Sequence, residues 1–307
     1  VSVPIVVVGS VNADLRVTVE RHPQPGETVL GGDGTVTPGG KGANQALAAV
    51  RAGGRVAMVG AVGRDPNADA ALRLLRSQGP DLGAVDEVDG PTGVAVVMVA
   101  ASGENAIIVI PGANATVDAE AVNRHRDLIE GAGVVVCQGE IPVDGIVRAS
   151  ELCESAGGRF ILNIAPVIEV PSEVILRADP LVVNEHEGAL VAAMFDAGAD
   201  TEALEADPSA CVDLLMSQGC RSVVMTLGSK GSLVTVEDQV RAIPAERVEA
   251  VDTVGAGDAF VGALAARLAD DADLESACSS ASGFAALTVT RPGAQASYPT
   301  AEEVAAT

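Results

Sequence analysis

Short apolar runs alternate with helical periodicity along most of the chain. Residues 4–9 (PIVVVG) form a continuous apolar run of the kind that fills a strand buried on both faces. Residues 55–61, 133–138, 160–164, 181–183 and 222–227 repeat that pattern. Between them, residues 45–51, 68–77, 118–130, 143–155, 185–195 and 209–217 carry the spacing of amphipathic helices. Near the end, Val261, Leu264, Ala265 and Leu268 make one helical stripe, and residues 277–289 read as a second helix. Strands alternating with helices predict a parallel sheet covered on both faces, a three-layer doubly wound α/β fold.

Two segments break the pattern. Residues 15–37 alternate apolar and polar positions and carry Pro23, Pro25 and Gly26, with strand-like pieces at 28–30 and 35–37. Residues 92–101 and 104–110 form a hairpin pattern around Ser102-Gly103. Together they predict a small β-sheet lid built from residues 15–37 and 92–110. The α/β core then comprises residues 1–14, 38–91 and 111–307. Residues 226–231 (TLGSKG) read as a hairpin turn, residues 196–208 as an acidic solvated stretch, and residues 290–297 as a closing segment.

Composition narrows the function classes. Of 307 residues, 48% are hydrophobic and only 2% aromatic, so the core is aliphatic. Asp and Glu outnumber Lys and Arg 42 to 19, a formal charge of −23, which argues against nonspecific nucleic-acid binding and against an anionic membrane surface. A phosphate ligand must then be captured by local devices. The five cysteines make no CxxC pair and fit a reducing compartment. The three histidines form no zinc-like cluster, no apolar run spans a bilayer, and the expected setting is cytoplasmic.

The candidate chemistry sits at loop-to-helix junctions. Residues 252–258 (DTVGAGD) lead into the Val261 stripe. A helix start of this kind presents unpaired N–H groups and partial positive charge, and Gly255 and Gly257 allow close approach to the main chain. Asp258 in that nest either caps its helix or takes a proton from a hydroxyl that attacks a bound phosphate. A second glycine-rich junction is Gly39-Gly40-Lys41-Gly42-Ala43-Asn44. It is neither a Walker A loop nor a dinucleotide fingerprint. Asn12 and Asp14 follow the first strand, where open α/β sheets bind ligands. Glu140, Asn163, Asn184 with Glu187, and Thr226 with Gly228 stand at later strand ends. The missing glycine fingerprint after the first strand makes a nicotinamide-dependent enzyme a poor reading.

In this order and spacing, the motifs resemble the ribokinase (PfkB) family of carbohydrate kinases from Gly9 to Ser297. The resemblance implies ATP-dependent phosphorylation of D-ribose at its 5-hydroxyl, with 2-deoxyribose, another small sugar or a nucleoside as alternative acceptors. A non-catalytic sugar sensor on the same fold is the competing class. The family pattern implies Asp258 as general base and Gly255, Ala256 and Gly257, with Val254, as the nest for the transferring phosphoryl group. It implies Asn12, Asp14, Gly40, Lys41, Gly42, Asn44 and Glu140 as sugar ligands. Asn184 and Glu187 would serve the triphosphate and its Mg²⁺, and Thr226, Leu227, Gly228, Ser229, Lys230, Gly231 and Ser282 would flank the nucleotide. Asp252, Val254, Thr288, Arg291, Gly293 and Ser297 match positions that ligate a monovalent cation such as K⁺, mostly through main-chain oxygens. The lid is also the expected homodimer interface.

Overall fold

A computed structural model describes residues 4–102, 104–237 and 239–305. Thirteen strands are present among them: β1 Ile5–Val8, β2 Asn12–Val19, β3 Gly31–Gly39, β4 Val56–Gly63, β5 Asp81–Val88, β6 Gly93–Ala100, β7 Asn105–Ile110, β8 Val134–Gln138, β9 Arg159–Asn163, β10 Leu181–Asn184, β11 Val223–Thr226, β12 Ser232–Val236 and β13 Gln239–Ile243. Nine form one sheet in the order β13-β12-β11-β10-β9-β8-β1-β4-β5. Pairing from β11 through β5 is parallel throughout, and β12 and β13 are added antiparallel at one edge.

The apolar strands are central because parallel strands bury both faces. Ile5 and Val7 on one face pack with helices Lys41–Arg51, Pro66–Gln78, Ala256–Ala269 and Leu274–Thr288. Val6 and Val8 on the other pack with helices Val143–Ser155, Ser172–Arg177, Glu185–Phe195 and Pro208–Ser217. The three-layer doubly wound expectation therefore holds. Chain order runs outward from β1 through β4 to β5 on one side, and from β8 to β11 on the other. The β1/β8 boundary is the switch point, where a crevice opens beyond the strand ends.

Several local expectations change. The segment Lys41–Arg51 is helical from Lys41, so Lys41, Gly42 and Asn44 stand on a first helical turn and not on a loop. Gly40 precedes it at φ +88°, and Gly42 lets the helix touch the end of β1: a Cβ there would lie 2.6 Å from the Gly9 carbonyl carbon and the Ser10 nitrogen. The predicted 118–130 helix breaks at His125 into Ala119–Arg124 and Arg126–Glu130. Residues 201–206 of the acidic stretch form a short helix, solvated as expected. Strands β5 and β13 carried no apolar run because both are sheet edges with exposed positions.

A second sheet has the order β3-β2-β6-β7, with β2 parallel to β6. Residues 28–30 are not a strand; β3 begins at Gly31, after the proline- and glycine-containing turn. Asn12 and Asp14 lie inside β2, opposite Gly39 and Thr37 of β3, and not in a loop after β1. β6 and β7 pair as the predicted hairpin, whose Gly103 lies outside the described residues.

Candidate active site

The N-termini of helices Lys41–Arg51 and Ala256–Ala269 converge beyond the β1/β8 crevice. Gly255 occupies the left-handed region at φ +77° and is the N-cap of the second helix, without a side-chain capping bond. The Tyr298 hydroxyl donates to the Gly255 carbonyl at 3.2 Å. Asp258 does not cap its helix. Its Oδ2 accepts from Asn44 Nδ2 at 2.9 Å and its Oδ1 from Gln45 Nε2 at 2.9 Å. The capping alternative left open by the motif is thereby removed.

The nest is narrower than residues 254–257. The Val254 N–H donates to Asp252 Oδ1 at 3.0 Å, and the Ala256 N–H closes a turn onto the Thr253 carbonyl at 3.2 Å. The N–H groups of Gly255, Gly257 and Asp258 have no protein acceptor among the described residues. These three are the main-chain donors open to an anion.

Two cavities meet here. The larger, about 540 Å³, is bordered by Thr226, Gly228, Ser229 and Gly231, by the 245–248 loop, and by Phe260 and Ser282. The smaller, about 170 Å³, is bordered by Lys41, Asn163, Asn184, Glu187, Asp258 and Gly255. Thr226 and Gly257 border both. Leu227 and Lys230 border neither, and Lys230 Nζ lies 3.7 Å from Glu185 Oε1. The 245–248 wall and Phe260 were not foreseen, since nothing in their spacing marks a ligand.

The charge pattern is concentrated on one cation. Asp258, then Glu140 and Glu187, hold the Lys41 ammonium above its usual range, against the opposing effect of burial. Burial raises the Glu187 carboxyl, and the Asn184 N–H and Lys41 oppose it. Asn184 and Glu187 form a reciprocal capping box on helix Glu185–Phe195, with Glu187 Oε2 accepting from the Asn184 N–H at 2.9 Å. Glu140 Oε2 accepts from Ser10 Oγ at 2.6 Å and from the Lys41 N–H at 3.1 Å, so this carboxylate sits at the start of helix Lys41–Arg51.

Asp14 stands apart from the small cavity's lining but shares its field. Burial first, then Glu140 and Asp258, push its carboxyl up to about 7, and its Oδ1 is buried without a partner. A buried, unpaired carboxylate oxygen is costly and marks a place where a donor belongs. Asn12 is fully buried, and its Oδ1 accepts from Asn114 Nδ2 at 2.7 Å. Asn114 went unnoticed in the sequence, as did Ser10.

Among the residues expected to ligate a monovalent cation, the Asp252 carboxylate accepts from the N–H groups of Val254 and Gly293. Its Oδ2 accepts from the Gly293 N–H at 3.0 Å and from Arg16 Nη1 at 3.3 Å. The Arg291 N–H bonds the Thr288 carbonyl, while its guanidinium pairs with Glu303. Thr288 and Ser297 are buried, their hydroxyls turned to the Phe284 and Ala294 carbonyls. Among the described residues no group of three or more His, Cys, Asp or Glu side chains could hold a metal.

The pfkB family carbohydrate kinase model matches residues 4–301. The ribokinase of Bacillus subtilis (strain 168) is 38% identical over 300 residues, covering 98% of this chain and 97% of that protein. The deoxyribokinase of Salmonella typhi is 35% identical over 302 residues, covering 97% and 96%. The structure of Arabidopsis thaliana ribokinase complexed with ribose and ATP superposes with a TM-score of 0.88 at 31% identity, covering 100% of this chain and 98% of that one. With a family match across nearly all of its length and the same two-sheet fold, the chain belongs to the pfkB family of carbohydrate kinases.

Proposed function

We propose that this chain transfers the γ-phosphoryl group of ATP to the 5-hydroxyl of D-ribose, giving D-ribose 5-phosphate and ADP. The observation that carries the reading is one carboxylate, Asp258, on the wall of the smaller cavity beside the Gly257 that borders both, oriented by Asn44 and Gln45 instead of by its own helix. Asp258 accepts the proton of the 5-hydroxyl as its oxygen bonds to the γ-phosphorus and the bond to the β–γ bridging oxygen breaks. The N–H groups of Gly255, Gly257 and Asp258 take the charge that develops on the phosphoryl oxygens. Lys41 offsets the surrounding carboxylates. The larger cavity, with Ser282 on its wall, takes the adenosine.

Asp14, with Asn12, Gly40, Gly42, Asn44 and Glu140, holds the sugar. Its unpartnered Oδ1 gains a hydroxyl donor. Mg²⁺ on the triphosphate supplies charge neutralisation when bound, with Asn184 and Glu187 on that side of the small cavity. Asp252 and the 288–297 main chain would hold a monovalent cation such as K⁺, which would stiffen the loop that carries the nest. The protein works as a homodimer through the small sheet, where Ile107 and Ile108 are 59% and 54% exposed. Its five buried free thiols suit a reducing cytoplasm.

Asp258→Asn tests the base: kcat is expected to fall roughly 10²–10⁴-fold with ribose binding retained. Parental turnover in that variant refutes the assignment. The deoxyribokinase relative supports a second reading, 2-deoxyribose as acceptor. A site that bonds the 2-hydroxyl rejects the deoxy sugar. Comparing kcat/KM for the two sugars, with and without K⁺, decides between them; equal values sink the ribose assignment.

A further inference from the structure

Asp258 lies in the middle of a buried chain of side-chain amides. An amide has a donor end and an acceptor end, so each link fixes the direction of the next. On one side, Gln295 Nε2 donates to Asn44 Oδ1 at 2.9 Å, which leaves the Asn44 Nδ2 end for Asp258 Oδ2. On the other, Gln138 Nε2 donates to Gln45 Oε1 at 2.8 Å, so Gln45 Nε2 faces Asp258 Oδ1 and also Asn163 Oδ1, the latter at 3.0 Å. Asn163 is itself directed by donation to the Val182 carbonyl, a main-chain acceptor that cannot be reversed.

The two arms differ in redundancy. Gln45 is oriented by both Gln138 and Asn163. Asn44 is oriented at its acceptor end by Gln295. With that donor gone, the Asn44 amide can turn and present its oxygen to the Asp258 carboxylate, an acceptor against an acceptor. Gln295 is 1% exposed, borders neither cavity, and sits between Gly293 and Ser297 in the closing segment.

We propose that Gln295 is a positioning residue for the phosphoryl transfer: acting through Asn44, it keeps an N–H and not a C=O against the base carboxylate. Gln138 does the same through Gln45, with Asn163 as a second support. This inference rests on the reading of Asp258 as the base. It also makes the 293–297 segment a determinant of turnover, and not only of the fold.

The test is steady-state kinetics on the full chain with ribose and MgATP. Gln295→Met keeps side-chain length and removes the donor. Its kcat is expected to fall about tenfold, with KM for both substrates within about twofold of parent, because orientation and not binding is lost. In an Asn44→Ala background the same substitution is expected to cost nothing further, since no amide is left to orient. A kcat within about twofold of parent, or an undiminished loss in the Asn44→Ala background, overturns the inference. Should Gln295→Met fail to fold, the isosteric Gln295→Glu, which also removes the amide donor, is judged in the parent and Asn44→Ala backgrounds by the same non-additivity. Asp258→Asn separates the two readings. If it is inactive while Gln295→Met is normal, only the positioning role falls; if it keeps parental turnover, the base reading falls.

Discussion

Arg16 Nη1 lies 3.3 Å from Asp252 Oδ2, so a strand of the small sheet is tied by charge to the loop that opens helix Ala256–Ala269. The same strand carries Asp14 two residues earlier, on the same face. Burial alone would raise the Asp252 carboxyl, but the N–H groups of Gly293 and Val254 and the Arg16 guanidinium take it below its ordinary value. Arg16 is half-exposed, so Arg16→Met is expected to cost less than about 1 kcal/mol of stability. Asp252→Ala leaves the exposed Val254 N–H to water but strands the part-buried Gly293 N–H, and is expected to cost about 1–3 kcal/mol. Thermal melts of the two variants, beside kcat on ribose, check this ordering; an Arg16→Met as damaging as Asp252→Ala contradicts it.

Asp14 predicts a pH dependence with a definite sign. Its folded value of about 7 is above the unfolded 3.8, so the native protein holds a proton that the unfolded chain has lost. This contribution is neutral below the unfolded value, turns unfavourable as pH rises between the two, and is fully paid above 7. Asp14→Asn is therefore expected to raise Tm over parent more at about pH 8 than at about pH 5. Parent affinity for ribose is expected to rise as pH passes through about 7, because the ionised form accepts hydroxyl donors. Calorimetric binding across that range gives the answer, and a flat profile contradicts the role.

The two glycines of the nest should fail in different ways. A Cβ on Gly255 would lie 2.8 Å from the Ala294 Cβ and 2.9 Å from the Tyr298 hydroxyl, at a positive φ. Gly255→Ala is expected to lose stability, about 1–2 kcal/mol from the backbone alone. A Cβ on Gly257 would meet nothing within 4 Å. Gly257→Ala is expected to fold with parental Tm yet lose turnover, because its methyl stands where the two cavities meet. A Gly257→Ala enzyme with parental kcat/KM for ATP would show that no phosphoryl group passes there.

The small sheet gives a test of assembly. Ile107 to Ile110 are all 41% exposed or more, and Leu30 is 94% exposed. Ile107 and Val109 face one side of edge strand β7 and Ile108 and Ile110 the other, and exposed apolar side chains of this kind suit the proposed dimer contact. Light scattering is expected to report a dimer, and Ile108→Glu a monomer. A parent protein that is monomeric at micromolar concentration refutes the interface.

The central strands could be read directly, because a strand buried on both faces leaves an unbroken apolar run. Edge strands β5 and β13 left none. Gly255 was legible as the helix entry because a left-handed cap favours glycine, whereas the close approach expected at Gly257 concerns a ligand and leaves no trace in the protein's own packing. The amides that direct Asp258 were harder. Gln45 directly follows the recognised 39–44 motif but was read only as helix, and Gln138 and Gln295 are 93 and 250 residues from it. Periodicity carries no trace of a hydrogen bond made across such distances. Likewise, Asn184 and Glu187 at a strand end fit a phosphate site and a capping box equally well, and the backbone bonds seen here are those of the cap.

Because Thr226 and Gly257 form the stretch of wall common to both cavities, a nucleotide and an acceptor held as proposed would meet across that doorway, with the acceptor reaching it from the side of β2. Changes in the 245–248 loop can then retune the choice of base or ribose on the donor side without disturbing the acceptor. Changes along β2 can alter the acceptor while the donor stays the same. A fold partitioned in this way can diversify its sugar while its energy currency remains fixed.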